Sequence, residues 1–356
     1  MPATHRRRRT GGLALAVLAA LATAAPAGAA TGPAAPAGRG AHLLSEVAGA
    51  EQRSALEYWT PERMAAARPA SADAPAAQGT AQDAPEGTPA GGSAAPAAGA
   101  ARMLAAGGAP VLQRRLRGAA GVVDGAVGVA TPWTGPAAVT PKVGRLYFTQ
   151  GGVPYECSAS SVRAGNESVV VTAGHCLTEK GRTSTNVIFV PGLAGSAEPF
   201  GRWSATRTFT TQQWRDGDQD TAAALNFDVG FVVVGRQGGA TLADRVGAFD
   251  LGFDAALERV TVFGYPAASR TSDGYTLQHC TGLRFPDDGG TTDQGTLCDM
   301  GGGSSGGPWL SRFDPAAGTG VVTSVVSFSY GRAPDRLYGP RLGSAVRAVY
   351  KRAAAA

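Results

Sequence analysis

Histidine is the scarcest informative residue in this chain, with four among 356 residues. His5 lies in an arginine-rich N-terminal stretch and His42 follows soon after, so histidine chemistry further on rests on His175 or His279. The few histidines weigh against a zinc centre built from both residue types, and no metal or other cofactor is expected. Long apolar runs are also missing: the longest, Leu13–Ala25, has 13 residues, short of the ~20 that a spanning helix needs. A membrane-anchored mature form is therefore not expected. Positive charge is lacking outside one place. The net charge is +5, and Arg6, Arg7, Arg8 and Arg9 supply all but one unit of it, so the nearly neutral remainder offers no basic footprint for nucleic acid. Between Ala65 and Pro110, large apolar side chains are almost absent, Met103 and Leu104 apart, and 33 of 46 residues are Ala, Gly or Pro, the composition of a linker and not of a core.

The arginines, the apolar run and the small residues Ala27-Gly28-Ala29 together read as a signal peptide over 1–29. Thr10-Gly11-Gly12 stands where a twin-arginine signal places a bulky apolar residue, which favours the general secretory route and an extracellular protein. Export makes disulfides the natural reading of four cysteines. Of the three pairings, sequence proximity favours Cys157–Cys176 and Cys280–Cys298, each short loop contributing about 3 kcal/mol on a chain-entropy argument. Residues 30–125 read as a propeptide acting in cis. It begins with helical spacing of Leu43, Val47, Leu56 and Trp59, stopped by Thr60-Pro61, and passes through the linker to a basic cleavage site at Arg114-Arg115-Leu116-Arg117. The alternative is a spacer retained in the mature protein.

From about Val139 the pattern changes to short apolar or alternating runs separated by Gly, Pro, Asn and Asp: 143–149, 157–162, 168–172, 186–190, 228–234, 258–264, 275–281 and 320–330. Few intervening stretches have helical period, which disfavours a doubly wound α/β sheet and favours an antiparallel sandwich or barrel. The exception is Gly343–Lys351, where Leu342, Val346, Val349 and Tyr350 share a helical face. The domain over 126–356 is thus read as all-β, large enough for a pair of antiparallel barrels, with one C-terminal helix.

Three segments carry chemistry. His175 ends a β-branched run in Val171-Thr172-Ala173-Gly174-His175-Cys176, where Ala and Gly clear space around the ring. Gly301-Gly302-Gly303-Ser304-Ser305-Gly306-Gly307-Pro308 is a glycine-dense loop in which the amides of Gly303 and Ser305 can converge on one oxyanion. A serine hydroxyl becomes a useful nucleophile only beside a base. Asp228, opening the apolar run Val229–Val234, would be costly to bury without partners; accepting the Nδ1 proton of His175 would explain its position. Chain order discriminates among serine hydrolases. Gly303-Ser304-Ser305-Gly306-Gly307 matches G-x-S-x-G, but the fold using that elbow places its histidine after the serine, and none follows Ser305. The subtilisin order needs an aspartate before the histidine, and Asp73, Asp83 and Asp124 all lie in the linker or near the presumed mature start.

The remaining order, His175, Asp228, Ser305, is that of the chymotrypsin fold. T-A-G-H-C at 172–176, D-V-G-F-V-V-V at 228–234 and G-S-S-G-G-P at 303–308 resemble the three signature segments of chymotrypsin-like serine proteases. Val143–Phe148, Cys157-Ser158-Ala159-Ser160, Pro191-Gly192, Gly264-Tyr265-Pro266 and Cys298-Asp299-Met300 resemble the secreted bacterial branch related to glutamyl endopeptidases, and Tyr58–Glu62 resembles the leader of such precursors. The likeness covers about 140 to 350. It implies a double β-barrel with His175 and Asp228 on the first barrel, Ser305 on the second, and polypeptide substrates in the cleft. It also implies that Ser327, Phe328 and Ser329 bind substrate backbone as an added antiparallel strand.

Departures from the family are informative. Animal enzymes carry an aspartate before the nucleophile to pair with a new N-terminus, and here Ser304 stands there, so activation is expected to remove a propeptide that covers the cleft or assists folding. Glutamate-specific relatives carry a histidine where this chain has Ser327, which argues against glutamyl specificity. Asp299, six residues before Ser305, stands at the offset of the pocket carboxylate of trypsin-like enzymes. Asp216–Asp220 lacks the glycine and glutamate of a calcium loop and reads as solvated, and His279 reads as structural. The expected function is a secreted serine endopeptidase; a catalytically silent binding protein and a secreted esterase with the same triad are the alternatives.

Overall fold

A computed structural model describes residues 41–70, 72–73, 128–267, 272–331 and 333–356. The expected signal peptide, the expected cleavage site at Arg114–Arg117, most of the expected linker and the expected 125/126 boundary lie outside the described residues.

Six antiparallel strands close into a barrel in the order Val143–Gln150, Val153–Val162, Val169–Thr172, Gly230–Val234, Trp203–Thr211, Thr185–Pro191 and back to the first. Alternate residues point to opposite faces of a strand, and both faces are covered. Leu146, Phe148, Val170, Phe189, Trp203, Val232 and Val234 share one cluster. Tyr147, Val169, Val171, Ile188, Phe231 and Val233 belong to another, together with Leu310, Val325 and the terminal-helix residues Val346 and Val349. That double burial is why Gly230–Val234 reads as an unbroken apolar run. Trp203–Thr211 does not stand out as a strand in the sequence because threonines occupy much of it. They are satisfied locally, Thr206 and Thr210 donating to the carbonyls of Val233 and Val229.

The second lobe consists of two sheets. One runs Asp250–Leu251, Thr319–Val325, Pro308–Asp314, Arg259–Gly264, Gln278–Leu283, Thr131–Pro132; the other runs Phe285–Pro286, Gln294–Leu297, Ala333–Gly339, Phe328–Tyr330, Ala72–Asp73. Val260, Val262, Met300, Trp309, Val326 and Leu337 form its core. The expected second barrel is thus two sheets over one core, without a continuous hydrogen-bonded ring among the described residues. Both expected disulfides are present, Cys157–Cys176 within the first barrel and Cys280–Cys298 in the second lobe. The C-terminal helix spans Ser344–Ala354 and buries Val346, Val349 and Ala353, with the Tyr350 ring 5.9 Å from that of Phe231.

Residues 41–73 form an arm, and here the structure corrects the sequence reading twice. The helix expected from Leu43 begins only at Gly49 and ends at Tyr58; Ala41–Glu46 is a strand paired with Arg207–Thr211. An open strand edge supplies those backbone bonds, and tertiary context overrides local propensity. The start of the linker is also ordered: Pro61–Ala65 is helical, Arg68–Pro69 pairs with Tyr155–Glu156, and Ala72–Asp73 pairs with Phe328–Ser329. Small side chains here do not mark a linker; they fit a confined path in which Ala70 is buried.

Candidate active site

His175 follows a turn that admits no side chain at Gly174. A Cβ there would lie 2.7 Å from the Trp214 ring and 2.9 Å from Asp228 Oδ1. The tight turn aims the His175 backbone amide at Asp228 Oδ1, 2.7 Å away, while Nδ1 lies 2.8 Å from Oδ2. Ser327 Oγ donates to the same Oδ2 at 2.5 Å. Asp228 is wholly buried, and three donors offset what its isolation from water would cost. The Trp214 ring centroid is 6.4 Å from that of His175, and its Nε1 donates to Thr178 O.

Burial of His175 by itself would lower its pKa. The Asp228 carboxylate, through its charge and its hydrogen bond, with Glu179 adding to it, more than reverses this and leaves the pKa above the ordinary imidazole value. An imidazole so oriented keeps its proton on Nδ1 and presents Nε2 as the basic atom. Nε2 is buried and has no hydrogen-bond partner among the described residues.

Ser305 is delivered by the glycine loop across the junction between the lobes. Ser158 N donates to Ser305 O at 2.7 Å, and Gly306 N donates to Val326 O at 2.7 Å. Gly303 has φ +86°, and its carbonyl accepts from Ser158 Oγ at 2.9 Å. The carbonyl is thereby held back, and the Gly303 and Ser305 amides donate to no acceptor among the described residues. Ser305 Oγ does not bond His175; it donates to the carbonyl oxygen of Ala70 at 3.0 Å.

The other expected site residues divide. Ser327 supports Asp228 with its side chain, a role its position alone does not suggest. Phe328 stacks on Tyr338, centroids 5.2 Å apart and 7° from parallel, and Phe328–Ser329 does accept an added strand, although that strand runs parallel. Asp299 is not brought into a pocket. Its side chain is exposed and Oδ1 accepts from Ala130 N at 2.6 Å, because the chain near Gly128 pairs alongside Cys298 and captures it. His279 is structural, its Nδ1 on Thr131 O and its ring between Trp133 and Phe263. In the 216–220 loop Asp216 pairs with Arg215 and Asp220 with Lys180. The one His/Cys/Asp/Glu grouping of metal-site size among the described residues is Cys157, His175 and Cys176, and its two sulfurs are already bonded to each other.

Trp214 and Asp293 carry no sequence signal that marks them for the site, and Ser158 enters only as part of the Cys157–Ser160 resemblance, with no role attached to it. Asp293 is 3% exposed and neither carboxylate oxygen has a hydrogen-bond partner among the described residues. Burial, with Asp228 and Asp287 as like charges nearby, raises its pKa well above the ordinary carboxylate value. In the unfolded chain Asp293 ionises near pH 4, so the native state holds the extra proton above that pH and stability falls as pH rises from there. Asp293→Asn is therefore expected to raise the melting temperature at pH 8 and to leave it unchanged at pH 3.5; thermal unfolding at both pH values checks this.

Comparison with solved structures defines the class. The chain is 37% identical to the protease Anisep from Arthrobacter nicotinovorans, covering 64% of this chain and 100% of that one with a TM-score of 0.58. It is 32% identical to the thermostable serine protease AL20 from an extremophilic microorganism, covering 61% and 99% with a TM-score of 0.56. A Glu endopeptidase at 19% identity and TM-score 0.50, covering 64% and 97%, shares the fold. No protein-family model matches the sequence, and no curated protein does. The chain belongs to the chymotrypsin-like serine proteases, on the bacterial side of that family.

Proposed function

We propose that this protein is an exported endopeptidase that hydrolyses peptide bonds through Ser305, His175 and Asp228. The observation that carries the reading is the caged Asp228, which receives both the backbone amide and Nδ1 of His175. That arrangement fixes one tautomer and stabilises the imidazolium formed when Ser305 is deprotonated. Ser305 Oγ attacks the scissile carbonyl carbon, and its proton passes to His175 Nε2. The resulting oxyanion takes the Gly303 and Ser305 amides, and His175 returns the proton to the leaving amine. Water then attacks the acyl-enzyme with the same base. Polypeptide substrates, with endo-cleavage, are supported by a groove that already holds main chain on both sides of Ser305, against Tyr155–Glu156 and against Phe328–Ser329. Two disulfides suit an oxidising, extracellular compartment.

The test is fluorophosphonate labelling of the processed protein followed by peptide mapping. The expected result is label on Ser305 that disappears in His175→Ala. Absence of label from a folded protein with an open cleft would favour the silent binding-protein reading, and comparative rates on peptide and ester substrates of one acyl group separate protease from esterase.

A further inference from the structure

We infer that Arg145 and Ser158 are positioning residues for the reaction: from the outer face of the first barrel they set the amides of the oxyanion hole, Ser158 by direct contact with the glycine loop and Arg145 through the segment on which that loop rests. The inference rests on the catalytic assignment above.

Three consecutive glycines, Gly301–Gly303, have little backbone preference of their own, so the orientation of the peptide groups in this loop is set by whatever holds its carbonyls. In a planar trans peptide the N–H points away from the carbonyl of the same group. The Gly302 carbonyl accepts from Ala267 N at 2.8 Å, which turns the Gly303 N–H to the opposite side. The Ser304 carbonyl accepts from Gly307 N at 2.9 Å, which does the same for the Ser305 N–H. Between them the Gly303 carbonyl is held by Ser158 Oγ at 2.9 Å. Rotated toward the cleft, that carbonyl would set an acceptor where the oxyanion of the transition state needs donors.

The holds on Gly302 and Gly303 lead back to the first barrel. Arg145 and Ser158 stand opposite each other in neighbouring strands, on the face that does not carry Leu146, Cys157 and Ala159. Ser158 Oγ also accepts from Tyr265 N at 2.8 Å. The buried Arg145 guanidinium donates through Nε to Gly274 O at 3.0 Å and through Nη2 to Pro266 O at 3.4 Å, and lies 5.9 Å from the Tyr265 ring centroid. Tyr265, Pro266 and Ala267 are therefore tied to the barrel, and they form the surface against which the loop is pressed. A Cβ at Gly303 would lie 2.9 Å from Ala267 N, 3.0 Å from Tyr265 O and 3.4 Å from Glu156 Oε1. Glu156 supplies the countercharge to Arg145 at 2.6 Å. A buried ion pair is weak ground for stability, because desolvation offsets its attraction; what this one provides is a rigid, forked donor at the junction of the two lobes.

The experiment follows inactivation of the processed protein by a fluorophosphonate at several concentrations, which separates the limiting rate from the concentration giving half of it. Wild type is compared with Ser158→Ala, Arg145→Lys and Val346→Ala. Ser158→Ala deletes one buried oxygen and leaves the Gly303 carbonyl unheld. In Arg145→Lys an ammonium keeps the charge opposite Glu156 but cannot fork to both carbonyls. Val346→Ala, on the buried face of the terminal helix, destabilises the protein away from the loop. Outright loss of an oxyanion donor costs about 10²–10³-fold, so its displacement is expected to lower the limiting rate at least about tenfold in Ser158→Ala and Arg145→Lys, with half-saturation within about twofold of wild type. Val346→Ala is expected to melt at lower temperature and keep the wild-type rate. A wild-type limiting rate in either folded variant, or a change confined to half-saturation, removes that residue from the positioning role; an equal fall in Val346→Ala overturns the role for both and leaves Ser305 as nucleophile. If Arg145→Lys fails to fold, Ser158→Ala decides the matter. No label on Ser305 in the wild-type protein overturns the catalytic assignment, and the positioning role with it.

Discussion

Replacing Asp228 by Asn is expected to lower kcat by about four orders of magnitude, the scale known for triad aspartates, with the fold retained. Asp228 accepts from the His175 amide, His175 Nδ1 and Ser327 Oγ. An asparagine of the same shape offers one acceptor oxygen and one NH₂ group. To meet that NH₂, His175 must accept at Nδ1 and carry its proton on Nε2, the atom that has to receive the Ser305 proton. The pH profile adds a second readout. With Asp228 present the His175 pKa is raised; activity belongs to the neutral imidazole, so it is lost as pH falls through a value above that of an ordinary histidine. In Asp228→Asn burial acts without the opposing charge, and the acid limb moves to lower pH. Steady-state rates from about pH 5 to 9, a span that brackets an imidazole, check both statements on the two proteins, and an unchanged kcat in the variant would remove Asp228 from the mechanism.

Gly306→Ala is expected to cost about 3 kcal/mol or more in stability, combining left-handed backbone strain with overpacking. Gly306 has φ +81°, and a Cβ there would lie 2.1 Å from Thr172 Oγ1, 2.3 Å from Ser158 O and 2.9 Å from Ala173 N. Those neighbours belong to the strands and turn that carry His175, and two of the three are backbone atoms with nowhere to go. The loop must lift away, taking Ser305 with it, and a displacement of about 1 Å at a nucleophile costs on the order of a hundredfold in rate. Gly152 is the control. It has φ +83° and nothing within 4 Å of where a Cβ would stand, so Gly152→Ala carries the strain alone, roughly 1–2 kcal/mol, with activity unaffected. Thermal unfolding and labelling rates of the two variants distinguish steric closure of the site from simple backbone strain.

Much of the site is legible because scarcity narrows the choices. With two histidines in the β-rich region, and only one beside small residues at a strand end, His175 follows; chain order then selects Asp228 and Ser305. Short-range signals also serve for the cysteine pairing, the terminal helix and the strands with unbroken apolar runs. What is not legible depends on which segments meet. Ser158, part of a family-like segment that assigns it no role, holds the Gly303 carbonyl; Ser327 reaches Asp228 from 99 residues away; Trp214 backs His175 from a short helix with no strong pattern. Asp299 shows the converse, a correct offset from Ser305 whose carboxylate is captured by the Ala130 amide.

The sequence by itself determined the all-β class, the terminal helix, the disulfide pairing and the three residues proposed for the reaction, because each is written in local periodicity, in residue type or in chain order. Only the tertiary structure decided that the small residues from Ala65 continue an ordered arm, and that the Ala70 carbonyl accepts the hydrogen bond of Ser305 Oγ. The part of the arm from Ala65 to Ala70 has no periodicity and little apolar surface of its own. Its order comes from strand edges, a tryptophan pocket and a cleft supplied by residues far along the chain, and contacts at that separation exist only once the barrel has closed.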